Sequence, residues 1–199
     1  MCTGQNKDDM TYDMQITAQN MVNYYRRLVA SGWAKDKNDY APTATKMTPV
    51  AYDCDNIGKE SQKLADNCDA QTYTPTGALA LSYHKLNELN IPPAEFLEKA
   101  ITTWADQVKQ IELDKQVVYA GDVESKAKDF ANMLNEKVTK VGCSVKVCQA
   151  KGFTVAVCQY DASLTTDDTV YTVGKPCKEC NALGKKCDST LGGGLCVTN

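Results

Sequence analysis

From Tyr12 to Gly32 the chain sets Ile16, Met21, Val22, Tyr25, Leu28 and Val29 close to a 3.6-residue period, and Gly32 stands where a left-handed C-terminal cap is wanted. This spacing predicts a first helix. A loop bearing Pro42 and Pro49 follows, and then Cys54, Ile57, Ser61, Leu64, Ala65 and Cys68 fall on one stripe, predicting a second helix with a cysteine at each end. Residues 69 to 90 carry no clean period and read as irregular. The Pro92–Pro93 pair then offers a helix start, because proline is tolerated in the first turn. Phe96, Leu97, Ala100, Ile101, Trp104, Val108 and Ile111 give that third helix a broad apolar face.

After an irregular stretch around Gly121, the residues Ala127, Phe130, Ala131, Leu134 and Val138 form the face of a fourth helix. The period then changes to two. Cys143, Val145 and Val147 alternate with Ser144, Lys146 and Cys148, and after a turn at "QAKG", Phe153, Val155 and Val157 alternate with Thr154, Ala156 and Cys158. That is a hairpin. From Gly174 the composition shifts to four cysteines and five glycines with almost no apolar residue, a segment that cannot build a core and must be held by crosslinks. The expected organisation is an α+β domain over residues 1–173 and a cysteine-rich appendage over 174–199.

Net charge is −3 with no basic run, so neither nucleic acid nor an anionic membrane is suggested as a partner. No apolar segment approaches the ~20 residues that span a bilayer, so no membrane insertion is expected. Ten cysteines, an even set, imply an oxidising compartment and five disulfides with no free thiol. The opening "MCTGQNKDD" turns polar at once and reads as a start codon placed before a mature secreted chain. With no Asn-x-Ser/Thr sequon, any effect on a partner is expected from protein surface rather than N-linked glycan.

Candidate chemistry is sparse. His84 is the chain's one histidine, and both Ser-His-Asp and Cys-His mechanisms would have to use it; within "SYHKLNEL" it reads as a surface or satisfied residue. No enzymatic activity and no cofactor are expected. In the tail, the spacing C-x2-C-x6-C-x8-C opens with a metal-like pair, but its last pair is too far apart for a zinc ribbon, and an oxidising compartment favours crosslinks. Tyr24, Tyr25, Arg26 and Arg27 offer the side chains that anchor interfaces. The preferred reading places Tyr25 in the core and leaves Arg26 and Arg27 solvated.

In this order, "VNYYRRLVASGWAKD", "APTATKMTPVAYDC", "KVTKVGCSVKVC", "VAVCQYD" and the "PCKEC" tail resemble the cysteine-rich secretory, antigen 5 and pathogenesis-related superfamily, and within it the single-domain secreted proteins of hookworms. The resemblance implies an α-β-α sandwich, with a three-stranded antiparallel sheet between helices and a cysteine-rich hinge at the C-terminus. It also implies a pairing of Cys54 with Cys148, Cys68 with Cys158, Cys177 with Cys187 and Cys180 with Cys196, which leaves Cys2 to Cys143. Metal-binding members gather two histidines and two acidic residues in a groove. The matching positions here are Asp129 on the fourth helix, Thr72 after the second helix, Gln107 after Trp104, and Ala78 or Ala80 in "TGALALS". All four have changed, so no bound metal is expected.

Two function classes follow from the resemblance. One is a secreted parasite protein that blocks host cell adhesion, acting as a monomer on a host cell-surface receptor, a platelet integrin first among them. The other is a carrier of sterol or lipid in a pocket between helices. The tetrapeptide "AGDV", Ala120 to Val123, bears on the first: it resembles the adhesive end of the fibrinogen γ chain, which offers an aspartate to an integrin's metal. Expected in a loop, it would use Gly121 for the turn and Asp122 as an oxygen ligand for a hard divalent cation.

Overall fold

In a computed structural model of the chain, the described residues are Cys2, 8–188, Thr190 and 192–198. In chain order the elements are α1 (Tyr12–Ser31), β1 (Ala51–Tyr52), a π-helical turn (Cys54–Gly58) leading into α2 (Lys59–Asp66), β2 (Ala80–Leu86), α3 (Pro93–Asp106), a 3-10 turn (Gln107–Gln110) and β3 (Val117–Val118). There follow α4 (Gly121–Lys126), α5 (Lys128–Leu134), β4 (Lys140–Cys148), β5 (Phe153–Tyr160), β6 (Thr169–Tyr171), β7 (Lys186–Cys187) and β8 (Cys196–Val197). The fold is α+β. Two compact units contain these elements: residues 1–21, 51–103 and 140–163 form the first, and residues 22–50, 104–139 and 164–199 the second. The tail from 174 thus belongs to the second unit, and the 173/174 composition boundary does not coincide with the division between units.

The first unit is built on a four-stranded sheet ordered β1-β4-β5-β2. Its three long strands are antiparallel, and the two-residue β1 adds a parallel edge through Ala51↔Lys140 and Tyr52↔Val141. The β2 strand lies in the stretch that reads as irregular. Ala80, Leu81 and Ser82 are all buried, so both faces are covered there and the period-two signal is absent. Ala65 of α2 packs with Tyr73, Leu81, Phe153, Val155 and Val157 on one face of this sheet. At Gly142 the backbone of the π-helical turn comes so close that a Cβ would fall onto Ile57 and Gly58. Ser61 Oγ then donates to Gly142 O at 2.8 Å.

Beside the sheet's edge, Asp8 is fully buried: the Tyr52 hydroxyl donates to its Oδ2 at 2.6 Å, and its Oδ1 accepts from Met10 N and Gln15 Nε2, each at 3.1 Å. Burial outweighs these bonds and raises the carboxyl above its ordinary range.

Three disulfides staple this unit, and they correct the pairing that the resemblance implies. Cys143 joins Cys158, Cys68 joins Cys148, and Cys54 joins Cys2, in place of Cys2–Cys143, Cys68–Cys158 and Cys54–Cys148. Register is the reason. With Cys148 opposite Phe153 at the hairpin end, counting outward sets Cys143 directly opposite Cys158 with Cα atoms 4.1 Å apart. The Cys143–Cys158 bond removes the partners expected for Cys2 and Cys68, and among the pairings left to the other four cysteines the structure joins Cys68 to Cys148 and Cys54 to Cys2.

In the second unit, Arg26 on α1 is fully buried, contrary to the expected solvated side chain. Its Nε donates to Thr48 O at 2.8 Å, Nη1 to Met133 O at 2.7 Å and Asn135 O at 3.0 Å, and Nη2 to Val138 O at 3.3 Å. The guanidinium therefore satisfies carbonyls at and beyond the C-terminus of α5 that no intrahelical amide reaches. Asn23, one turn earlier, pairs with both backbone groups of Val50, at 2.7 and 2.9 Å. On α5 every residue from Phe130 to Leu134 is buried, and this helix packs.

The tail is held by Cys177–Cys187 and Cys180–Cys196, and β7 pairs with β8. Arg27 is likewise engaged rather than solvated: Nη2 lies 2.8 Å from Asp188 Oδ2, and Nη1 donates to Thr190 O and Gly193 O, each at 3.1 Å.

Candidate receptor-binding site

The tetrapeptide Ala120–Val123 lies in the second unit immediately after β3. Its foundation is the short β3–β6 ladder, extended by Tyr119 N donating to Asp168 O at 2.7 Å and Asp167 N donating to Tyr119 O at 3.0 Å. The expected loop is in fact a helix start: Ala120 is extended, and Gly121 opens α4 with φ +54°, a left-handed value that glycine adopts without strain. Val123 is buried and anchors the turn from below, while Val123 N donates to Ala120 O at 3.1 Å and Ser125 Oγ to Gly121 O at 2.8 Å. The helical signal was present in "GDVESK", because Asp122 and Lys126 are spaced one turn apart.

Asp122 is left outside. Its side chain is 58% exposed, and its Oδ2 lies 2.9 Å from Lys126 Nζ. A carboxylate in the first turn of a helix is favoured by the free amides there, and an exposed ion pair of this kind contributes at most about 1 kcal/mol. The carboxylate can therefore exchange Lys126 for another cation at small cost. Next to it opens a depression of about 760 Å³, lined by residues 112–118 and 120–123 except Leu113, among them Glu112, Asp114, Lys115 and Gln116. Sequence reasoning missed these lining residues, which share no period. Charged and apolar side chains share its walls, Val117, Val118 and Val123 standing beside Glu112, Asp114 and Lys115.

Gln107 and Asp129, two of the positions that the resemblance sets against metal ligands, are also in this unit. Gln107 Nε2 donates to Asp129 Oδ2 at 2.8 Å, and Gln107 Oε1 accepts the backbone N–H groups of Asp129 at 2.9 Å and Phe130 at 3.1 Å. The Gln107 side chain thus caps α5 and engages the carboxylate. In the first unit Thr72 and Ala78 are exposed, and Ala80 is buried in β2 opposite Tyr160. Within the second unit, one carboxylate already bonded to an amide, with no imidazole beside it, does not fit a zinc ion.

His84 lies in β2 rather than in an irregular stretch. Its ring packs 5.6 Å from Phe96, and its buried Nε2 has no hydrogen-bond partner among the described residues. Burial, with Lys99 adding to it, lowers its pKa. The imidazole is accordingly neutral and packed, without a serine or carboxylate bonded to it among the described residues.

The profile of the cysteine-rich secretory protein family matches residues 19–160. Hookworm platelet inhibitor 1 of Ancylostoma caninum is 26% identical over 196 residues, covering 97% of this chain and 87% of the relative. Among solved structures, NaASP2 with Zn2+ superposes with a TM-score of 0.81 at 24% identity, over 90% of this chain and 94% of that one. The crystal structure of hookworm platelet inhibitor does so with a TM-score of 0.68 at 23% identity, over 100% and 96%. These two superpositions show a shared fold.

Proposed function

Because this chain belongs to the cysteine-rich secretory protein family, we propose that it is a secreted antagonist of host cell adhesion, one that inhibits platelet aggregation by occupying a platelet integrin. The likeness to a relative named as a platelet inhibitor supports the platelet half of this reading. The integrin half is carried by one observation: Asp122 presents an exposed carboxylate at the start of a short helix, beside an open depression. A divalent cation in a receptor takes oxygen ligands at ~2.0–2.6 Å and demands a carboxylate that can approach without displacing core structure. Gly121 contributes to that approach, since the space around its Cα is open to 4 Å on the side where a Cβ would stand. Paired cysteines, and the absence of any helix long and apolar enough to cross a membrane among the described residues, agree with an extracellular site of action.

The test is inhibition of washed-platelet aggregation by the full chain and its Asp122→Ala and Asp122→Glu variants. The alanine variant is expected to lose inhibition at an unchanged thermal midpoint. The glutamate variant is expected to be weaker than the parent, because its added methylene displaces the carboxylate by about one bond length relative to a cation site with ~2.0–2.6 Å ligand distances. Full inhibition by Asp122→Ala would remove the site from the account.

A further inference from the structure

The disulfide-held tail carries a concentration of positive charge between residues 175 and 186. Lys175, Lys178 and Lys186 are exposed and Lys185 half-buried, all within the disulfide-held tail, and none of the four has an ion-pair partner among the described residues. The Cys177–Cys187 bond, with Cα atoms 5.4 Å apart, brings together the backbone of their neighbours Lys178 and Lys186. Lys178 N donates to Lys175 O at 3.1 Å, and Lys185 N to Cys180 O at 3.0 Å, closing the other two into the same small module. The module's own carboxylates are engaged elsewhere: Asp188 with Arg27 at 2.8 Å, and Glu179 with Lys46 at 3.9 Å. Four ammonium groups are thus left uncompensated on a chain whose net charge is −3.

We propose that this lysine module is a docking surface for a sulfated glycosaminoglycan. Lysine acts toward sulfate or phosphate as a point charge, and an array of such charges binds a polyanion by releasing its condensed counterions. Crosslinks at both ends fix the backbone that carries the lysines, so docking orders their side chains but not the chain beneath them. The paired cysteines belong to an oxidising, extracellular setting, where the dense polyanion on cell surfaces is sulfated glycan rather than nucleic acid. Leu183 is the large apolar side chain that the module exposes, which is too little apolar area to anchor in lipid. Such docking would concentrate the protein at a cell surface independently of Asp122.

The experiment titrates the full chain with a heparin octasaccharide at 50 mM and 200 mM salt. The parent is expected to bind, and to weaken on the order of a hundredfold between the two salts if about four charges are neutralised. Lys175→Gln, Lys178→Gln, Lys185→Gln and Lys186→Gln combined are expected to cost at least tenfold in affinity at 50 mM. A charge-matched control carrying Lys59→Gln, Lys99→Gln, Lys109→Gln and Lys151→Gln is expected to bind like the parent. Thermal midpoints establish that both variants fold. The proposal is overturned if the parent does not bind, if the control loses as much as the tail variant, or if phosphatidylserine vesicles bind the parent as tightly as the octasaccharide does.

Discussion

Gln107 and Asp129 hold each other by both ends: the Gln107 amide nitrogen donates to Asp129 Oδ2 at 2.8 Å, and its oxygen accepts the Asp129 backbone N–H at 2.9 Å. The two side chains form a helix cap at the start of α5. Zinc titration calorimetry of the parent is accordingly expected to find no stoichiometric tight site. Gln107→Ala should cost about 1–2 kcal/mol, because two amide donors at the start of α5 lose their acceptor. One-to-one zinc binding that disappears in Asp129→Ala would refute this and reopen metal chemistry.

Arg26 predicts a large effect from a residue that looks like surface in the sequence. Its guanidinium reaches four carbonyls, of which Asn135 O also accepts Val138 N at 3.1 Å. Arg26→Ala should lower stability by at least about 3 kcal/mol in denaturant unfolding, since buried acceptors are left without donors. Arg26→Lys should recover only part, because one ammonium cannot span the same fork of partners. A loss under 1 kcal/mol in Arg26→Ala would contradict the assignment.

Disulfide connectivity is open to direct mapping. Non-reducing digestion is expected to yield peptides joined through Cys143–Cys158, Cys68–Cys148 and Cys2–Cys54. Recovery of Cys68 joined to Cys158, or of Cys2 joined to Cys143, would contradict the register argument.

The tail carries an acid-sensitive latch. The Thr190 hydroxyl and N–H, and then the Arg27 guanidinium, hold the Asp188 carboxyl down at about 2. A depressed folded value contributes stability that is present above the unfolded value of about 3.9 and is lost as pH falls through about 2. Protection against hydrogen exchange in the tail, taken relative to the intrinsic rate at each pH, should therefore fall from about pH 4 toward pH 2, and Asp188→Asn should remove that dependence. Asp8 in the first unit acts in the opposite sense, since its carboxyl is raised by burial and its charging above that raised value opposes folding. Reading the exchange by segment separates the two.

The sequence was legible wherever one face of an element meets solvent and the other meets the core. The apolar stripe of α1 is of this kind. The hairpin of β4 and β5 was legible for another reason, the alternation of valines with Ser144, Lys146 and Thr154 on either side of the turn at "QAKG", although β5 is buried along its whole length. The sequence was illegible at Ala80–Ser82 in β2, which are buried without a clear alternation, and where polar side chains are buried for their hydrogen bonds. Gln19, Asn23 and Arg26 fall on one stripe of α1 and hold the backbone at Tyr52, Val50 and Thr48, yet such a stripe reads as solvent-facing until the carbonyls and amides it serves are located. The Cys143–Cys158 pair was recoverable from the turn at "QAKG" by counting outward, but family likeness pointed to a different pairing. At the candidate site, "AGDV" was visible as a string, whereas its place in the first turn of a helix depends on the β3–β6 ladder beneath it.

Direct binding to a purified platelet integrin, followed by surface plasmon resonance in the presence of magnesium, bears most closely on the proposed function. Saturable binding of the parent is expected, with loss of the signal on adding EDTA and in Asp122→Ala, whose thermal midpoint should match the parent's. Binding by Asp122→Ala equal to the parent's, or binding that survives chelation, would contradict a carboxylate-to-cation contact through Asp122.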